Sequence, residues 1–265
     1  MENIERKKLV QQYYSSRAKD YDKQKSRTWK TAQGFGNEVT DELFKALKKP
    51  NIKHVLEVGV GTGRNALPLL ERIKAHFVGL DLTKEMLKVA ETKLSSFKQG
   101  INLILGDAEH LPFAEETSDV VVCMSTLHYF AFQENVLESF SRMLKKNGTL
   151  VCDDLTLHEL DDKRFLETLE RTLSKAHAGY RKPSEIKRLL ENSGFQVART
   201  KTVTYRKSYH ALIEDKGEYF GVTSRTLHAL VQRATAATKE QYELDNMAMT
   251  LYYTIITAQR KNEST

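Results

Sequence analysis

The chain has 265 residues, 40% of them hydrophobic, and a formal net charge of +6, which suits one domain with additions around a sizeable core. No stretch approaches the apolar length of a membrane span, and the N-terminal MENIERKKLVQQYY lacks the apolar centre of a secretory signal, so a cytoplasmic location is expected. The charge is uneven: residues 1–53 hold 13 Lys and Arg against 7 Asp and Glu, while residues 54–265 balance 28 against 28. Such a leader is either a solvated helix face or an attraction for an acidic partner such as nucleic acid.

In chain order, Val10, Tyr14, Ala18 and Tyr21 fall on one stripe, which predicts a helix with an aromatic face ending at Tyr21-Asp22. A second helix is expected over about 33–48, with Phe35, Val39, Leu43 and Leu47 at i, i+4 spacing and Pro50 as its stop. Residues 1–50 thus form a helical leader placed to fold back as a lid. VLEVGVGTGRN (55–65) then runs from a strand ending in Glu57 into Gly59, Gly61 and Gly63 at alternate positions. Glycine lets a backbone turn sharply under a ligand, and apolar residues at 66, 69, 70 and 73 predict a helix over 64–74 opening from the turn. Its free N–H groups favour an acidic or electron-rich ligand. Many nucleotide-binding α/β proteins share that much.

Short apolar runs then alternate with helical stretches, the pattern of parallel strands joined by crossover helices. HFVGLD (76–81) and INLILGD (101–107) are strands that end in acids, and Thr83 is a candidate N-cap for the helix between them. SDVVVCM (118–124) is apolar enough to be buried on both faces, and Asn147-Gly148 turns the chain into a fifth strand, TLVCDD. Cys123 and Cys152 fall in these strands without CxxC spacing and read as small buried hydrophobes. Helices are expected over about 160–177 and 183–192, with a sixth strand at 195–207 and a seventh at 249–261. The forty residues between those strands read as helix, roughly 210–245, too long for a hairpin loop.

Glu57, Asp81 and Asp107 fall at the carboxyl ends of the first three strands, where an open α/β sheet keeps its ligand crevice. A carboxylate after the second strand can accept from both hydroxyls of a ribose. An acid after the third, with the N–H of Ala108, can read the amino edge of an adenine, and Glu57 can help hold an ammonium directly or through water.

VLEVGVGTGRN, VGLDLT, GDAEHLPF, SDVVVCMSTLHYF and LKKNGTLV, in that order, resemble the successive motifs of class I S-adenosylmethionine-dependent methyltransferases. The resemblance covers about residues 10–207 and is strongest to the type 11 branch that includes the ubiquinone and menaquinone C-methyltransferases. It implies an α/β fold: a Rossmann-like, seven-stranded, mostly parallel sheet with an antiparallel last strand, an N-terminal helical lid and a helical insertion before that strand. One methyltransferase domain over 1–265 would comprise a lid (1–50), a cofactor-binding core (51–207), a helical cap (208–246) and the final strand (247–261). The resemblance further implies that Gly59, Val60 and Gly61 hold the methionine part of S-adenosyl-L-methionine. Asp81 would take the ribose, Leu82 would pack on adenine, and Asp107 with Ala108 would meet its edge. Met124 would hold the amino group through its backbone, Ser125 or His128 would border the sulfonium and the incoming acceptor, and Tyr21 would close over the cofactor. A dinucleotide fingerprint fits less well, because GxGxxG wants glycine at 64, which is Arg64 here.

Methyl transfer draws on alignment, and a base is needed only when the nucleophile carries a proton that must leave. His128, Tyr129 and Asp153, with Asp154 beside it, are catalytic candidates by position alone, and no metal is expected. MSTLHYF lacks the NPPY-type segment of nucleic-acid amino-methyltransferases and a catalytic Pro-Cys, which leaves O, N or C of a small-molecule acceptor. Tyr209, Tyr219, Phe220, His228 and Tyr242, with Tyr13, Tyr14 and Trp29, would form either an aromatic acceptor pocket or the insertion's own core or a subunit contact, including that of a homodimer. Arg225, Arg233 and Lys239 would suit an acidic group on the acceptor. The alternatives are an RNA methyltransferase using the basic leader, and a cofactor-binding regulator without turnover.

Overall fold

The computed structural model describes residues 3–28, 41–45, 47–48, 51–97 and 100–262. Its strands are β1 (His54–Val58), β2 (His76–Asp81), β3 (Ile101–Leu105), β4 (Ser118–Met124), β5 (Leu144–Thr156), β6 (Phe195–Ser208) and β7 (Ala248–Arg260). They form one sheet in the order β3-β2-β1-β4-β5-β7-β6. Pairing is parallel from β3 across to β5, and β7 runs antiparallel to both β5 and β6. This is the Rossmann-like arrangement that the run of apolar strands and acids implies, and its order reverses between β1 and β4, where such sheets open a crevice.

The two-residue period of the strands builds a core on each face. Val55, Val120 and Val122 pack with Leu69, Leu87 and Leu94 on one side, while Leu56, Val121 and Cys123 pack with Leu137, Phe140 and Leu190 on the other. Strands β5, β6 and β7 run 13, 14 and 13 residues, against 5 to 7 for β1 to β4. Their overhanging ends carry a third core of Leu155, Tyr205, Met249 and Leu251 with Leu169, Leu212, Leu227 and Tyr242. The cap therefore sits on extended strands beside the crevice.

Several boundaries differ from expectation. The leader's first helix, α1 (Asn3–Arg17), stops four residues early, and Tyr21 begins a second, α2 (Tyr21–Thr28). Of the helix expected over 33–48, residues 41–45 and 47 are helical, and 33–40 lie outside the described residues, as does Trp29. The glycine turn opens only Ala66–Leu70, with Arg64 and Asn65 still in a turn although Leu67 N–H already donates to Gly63 O at 3.0 Å. The insertion is not one helix but Tyr209–Leu212, a π turn at Ile213–Gly217, Ser224–Gln232 and Ala236–Gln241. Thr223 and Thr235 cap the last two through their side chains and thereby break the run.

Candidate active site

A cavity of about 530 Å³ lies over the carboxyl ends of the central strands, under α1 and α2. Tyr21, Gly59, Val60, Gly61, Asp81, Leu82, Asp107, Ala108, Met124, Ser125, His128, Tyr129 and Asp153 all line it, and Glu57 does not. The glycine turn is laced to β2: the N–H groups of Gly59 and Val60 both donate to Leu80 O, at 2.8 and 3.1 Å. Gly59 has φ +77°, and a Cβ there would sit 2.3 Å from Thr126 Oγ1, so the close approach of the two loops requires glycine. Asp81 accepts from Gly61 N–H through Oδ2 and from Thr83 N–H through Oδ1, each at 2.8 Å. Burial raises its pKa while those backbone donors oppose the rise. Thr83 stands at the N-cap without a side-chain hydrogen bond to the helix backbone.

Asp107 accepts from Glu109 N–H at 2.9 Å and from Lys7 Nζ at 2.6 Å, and Lys7 also reaches Glu109 Oε2 at 2.5 Å. Burial works to raise the Asp107 carboxyl, but Lys7 and the Glu109 N–H outweigh it and hold the group below its ordinary value. Glu57 is 1% exposed beneath the glycine turn, and its Oε1 has no hydrogen-bond partner among the described residues. Burial, with Asp81 and Asp153 nearby, pushes it up to about 8. Glu57, expected to help hold an ammonium directly or through water, is therefore set back from the cavity, behind the loop it supports.

On the far side, Ser125 takes a left-handed backbone, φ +50°, as the chain leaves β4. Its N–H donates to Asp153 Oδ1 at 2.6 Å, and its hydroxyl meets that of Tyr253. Asp154, rather than Asp153, partners the histidine: His128 N–H donates to Asp154 Oδ2 at 2.8 Å and Nδ1 lies 2.7 Å from Oδ1. Burial lifts both aspartates to about 7, with Asp154 adding to the rise at Asp153. Burial, then Lys216 and His177, holds His128 well below its usual pKa. Tyr129 shares a 2.8 Å hydrogen bond with the Tyr14 hydroxyl of the lid, and burial raises it to about 12.

Four site features lie outside the sequence reading. Lys25 and Lys216 line the cavity, from α2 and the π turn. Lys25 Nζ donates to both oxygens of buried Asp215 at 2.9 and 3.0 Å, and Lys207 reaches the same carboxylate at 3.0 Å. Lys216 Nζ donates to Glu170 Oε2 at 2.8 Å. Asp22 accepts from Thr62 Oγ1 at 2.7 Å and pairs with Lys93, tying the lid to the glycine turn. Of the two arrangements open for the insertion's aromatics, the described residues follow the core one. Tyr209 and Tyr242 are buried in the cap's own core, and Tyr13 stacks on Phe220 at 5.6 Å with Tyr219 edge-on at 5.1 Å, forming a lid-to-cap contact. Among the described residues of that set only Tyr14 lines the cavity, and Arg225, Arg233 and Lys239 do not reach it. Cys123 and Cys152 are buried side by side in register on β4 and β5, and burial raises both thiols. Among the described residues no three His, Cys, Asp or Glu side chains are grouped to hold a metal, and no helix is long and apolar enough to cross a membrane.

Residues 56–152 match the model of the methyltransferase domain family. An uncharacterized protein of Methanocaldococcus jannaschii is 30% identical over 149 residues, 56% of this chain and 67% of that protein. The chain belongs to the methyltransferase domain family. A demethylmenaquinone methyltransferase of Thermotoga maritima is 29% identical to this methyltransferase-domain chain over 189 residues, 62% of the chain and 80% of the relative. The crystal structure of a candidate methyltransferase from Bacillus halodurans has the same fold, with a TM-score of 0.76 at 22% identity, over 85% of this chain and all of that one. The chain spans between 47% and 67% of the first four curated relatives that it matches.

Proposed function

We propose that this protein transfers a methyl group from S-adenosylmethionine to a small-molecule acceptor. The observation that carries the reading is the convergence, in one cavity, of the glycine turn with carboxylates at the ends of β2, β3 and β5. Asp81 and Asp107 stand at one end and Asp153 at the other. The donor set suits the cofactor, which carries a ribose diol and an adenine edge to be accepted by carboxylates, and two cationic centres that favour an acidic wall. A Cβ on Gly61 would meet nothing within 4 Å, so the turn leaves room for a ligand to lie against its backbone.

In this reading Gly59, Val60 and Gly61 hold the methionine part, Asp81 the ribose, and Leu82, Asp107 and Ala108 the adenine. Met124 and Ser125 border the amino group and the sulfonium, with Tyr21 above and Glu57 supporting from behind. Bound there, S-adenosylmethionine supplies a methyl group activated by its attachment to a sulfonium. The chain's part is to orient that methyl and exclude water, which the interlocked lid and cap do by covering the strand ends. The small-molecule assignment rests on the same enclosure and fits the likeness to a demethylmenaquinone methyltransferase.

The test is calorimetric titration with S-adenosylmethionine and S-adenosylhomocysteine, repeated on Asp81→Ala. Binding in roughly the micromolar range is expected, weakened by at least about tenfold in the variant, the equivalent of about 1.4 kcal/mol. Folded wild-type protein that binds neither ligand would overturn the proposal.

A further inference from the structure

Beyond the cofactor end, the cavity has a second, chemically distinct corner where β5, the loop after β4, the loop at 174–182 and the π turn of the cap meet. Resting on the proposed function, we infer that the acceptor is a small molecule with an acidic hydroxyl, a phenol or an enol, whose proton passes to His128 Nε2 and whose oxygen is then held by Tyr180 and Lys216.

The inference starts from unspent hydrogen-bonding capacity. His128 commits Nδ1 to Asp154, and its Nε2 has no partner among the described residues. With a carboxylate accepting at Nδ1, the imidazole carries its proton there and Nε2 is a lone-pair acceptor. The Tyr180 hydroxyl is also buried without a partner. Both residues line the cavity, with rings 5.1 Å apart, near enough for one bound oxygen to meet both. Lys216 lines the same corner and spends a single N–H on Glu170. Buried polar groups left unpaired cost stability, so an acceptor facing two donors describes the ligand that would satisfy them: an O–H whose oxygen can accept.

The charges around His128 favour the same ligand. Facing it are Asp154 from β5, Tyr129 beside it, His177 and Tyr180 from the loop, Lys216 from the cap, Glu170 from the helix Phe165–Leu173 and Lys25 from α2. Both carboxylates are already engaged. Asp154 accepts from His128 and Leu155, and Glu170 from Lys216. An amine arriving as an ammonium would meet two lysines and no carboxylate unengaged. A hydroxyl that ionises gains the field of those lysines, which lowers its pKa. The transfer balances within the corner: the proton goes from oxygen to Nε2, the electron pair stays on oxygen, and Asp154 steadies the resulting imidazolium. Burial keeps His128 neutral beforehand, so it can receive.

The test uses 3-nitrophenol, a weak acid whose phenolate absorbs where the phenol does not, added at pH 7.5, above the Asp154 value of about 7, to protein saturated with S-adenosylhomocysteine. Bound probe is expected as phenolate, with its apparent pKa at least one unit lower than in solution, about a tenfold change in the phenolate-to-phenol ratio. His128→Asn, whose amide can still donate to Asp154, and Lys216→Met should each bind S-adenosylhomocysteine as the wild type does while returning bound probe to the phenol spectrum. The inference is overturned if wild-type protein binds S-adenosylhomocysteine and the probe stays a phenol or does not bind, or if both variants keep the phenolate signal. Wild-type protein that fails to bind S-adenosylhomocysteine overturns this inference together with the proposed function.

Discussion

Gly59 and Gly61 both take left-handed backbone, at φ +77° and +53°, yet they are glycine for different reasons. At 59 an added Cβ collides with Thr126, whose hydroxyl is bonded to Met124 O at 2.7 Å and which begins the turn that presents His128. At 61 there is open space, and only the backbone conformation resists a side chain. Gly61→Ala should therefore cost about 1 kcal/mol of stability, whereas Gly59→Ala adds displacement of a packed loop and should cost about 2–4 kcal/mol. Binding should show the opposite emphasis. The folded Gly61→Ala protein should lose affinity for S-adenosylmethionine out of proportion to its stability, because its methyl occupies the space left for the ligand. Urea denaturation and calorimetry on the two variants check both halves, and equal stability losses would refute the steric distinction.

The elements that were legible in the sequence are those whose signal is local. Each of the first three strands is a short apolar run with an acid at or just after its end, and β4 is an unbroken apolar run, so order and direction follow from the chain. The lid's seating was not legible, because its determinants are far apart. Lys25 meets Asp215 across 190 positions, and Lys7 meets Asp107 across 100. Nothing local in IEDKGEYF marks its charged residues for burial, yet Asp215 is 2% exposed and Lys216 lines the cavity. The tyrosines of the insertion stay open between a pocket and a core for a similar reason: the sequence does not show that the overhanging strands need those rings as core. The lid's dependence on Asp215 yields a prediction at this scale. Asp215 binds buried Lys207 and half-buried Lys25, and removing one member of a buried ion pair typically costs about 3–5 kcal/mol. Asp215→Asn should lower Tm and expose α1 and α2 to trypsin. Cleavage within residues 3–28 is expected at least about tenfold faster, since 1.4 kcal/mol of local opening already gives that factor. A variant that melts lower with no change in lid cleavage would show that Asp215 supports the cap alone.

Across the whole molecule the excess of cations in the leader is partly turned inward. Lys7 is spent on Asp107 and Glu109, and Lys25 on Asp215, so the basic leader balances acids of the cavity and cap and lends less support to a nucleic-acid acceptor. The cavity floor remains acidic and buried, with Glu57 raised to about 8 and Asp153 and Asp154 to about 7. A carboxyl with a raised folded-state pKa holds its proton more tightly in the folded chain than in the unfolded one. Its stabilising contribution is complete below the unfolded value near 4 and is lost as pH rises through the folded value. For one group the slope is up to about 1.4 kcal/mol per pH unit. Ligand-free protein should therefore lose Tm between about pH 5 and pH 8, most of the upper part of that loss coming from Glu57. Glu57→Gln, which cannot ionise, should flatten the curve between pH 7 and 8. His128, held well below its usual pKa, works in the opposite sense up to its unfolded value near 6.5, and Lys207, lowered to about 8, begins to oppose the loss as pH nears 8, so the Glu57 contribution is read as the difference between the wild-type and Glu57→Gln curves. A cation bound over the floor reverses the sense, because it stabilises the ionised acids that the empty cavity disfavours. The Tm gain from saturating S-adenosylmethionine should then grow from pH 6 to pH 8, and the gain from S-adenosylhomocysteine, without the sulfonium charge, should grow less. Differential scanning fluorimetry across that range decides it, and parallel curves for the two ligands would mean that the floor acids do not sense the sulfonium.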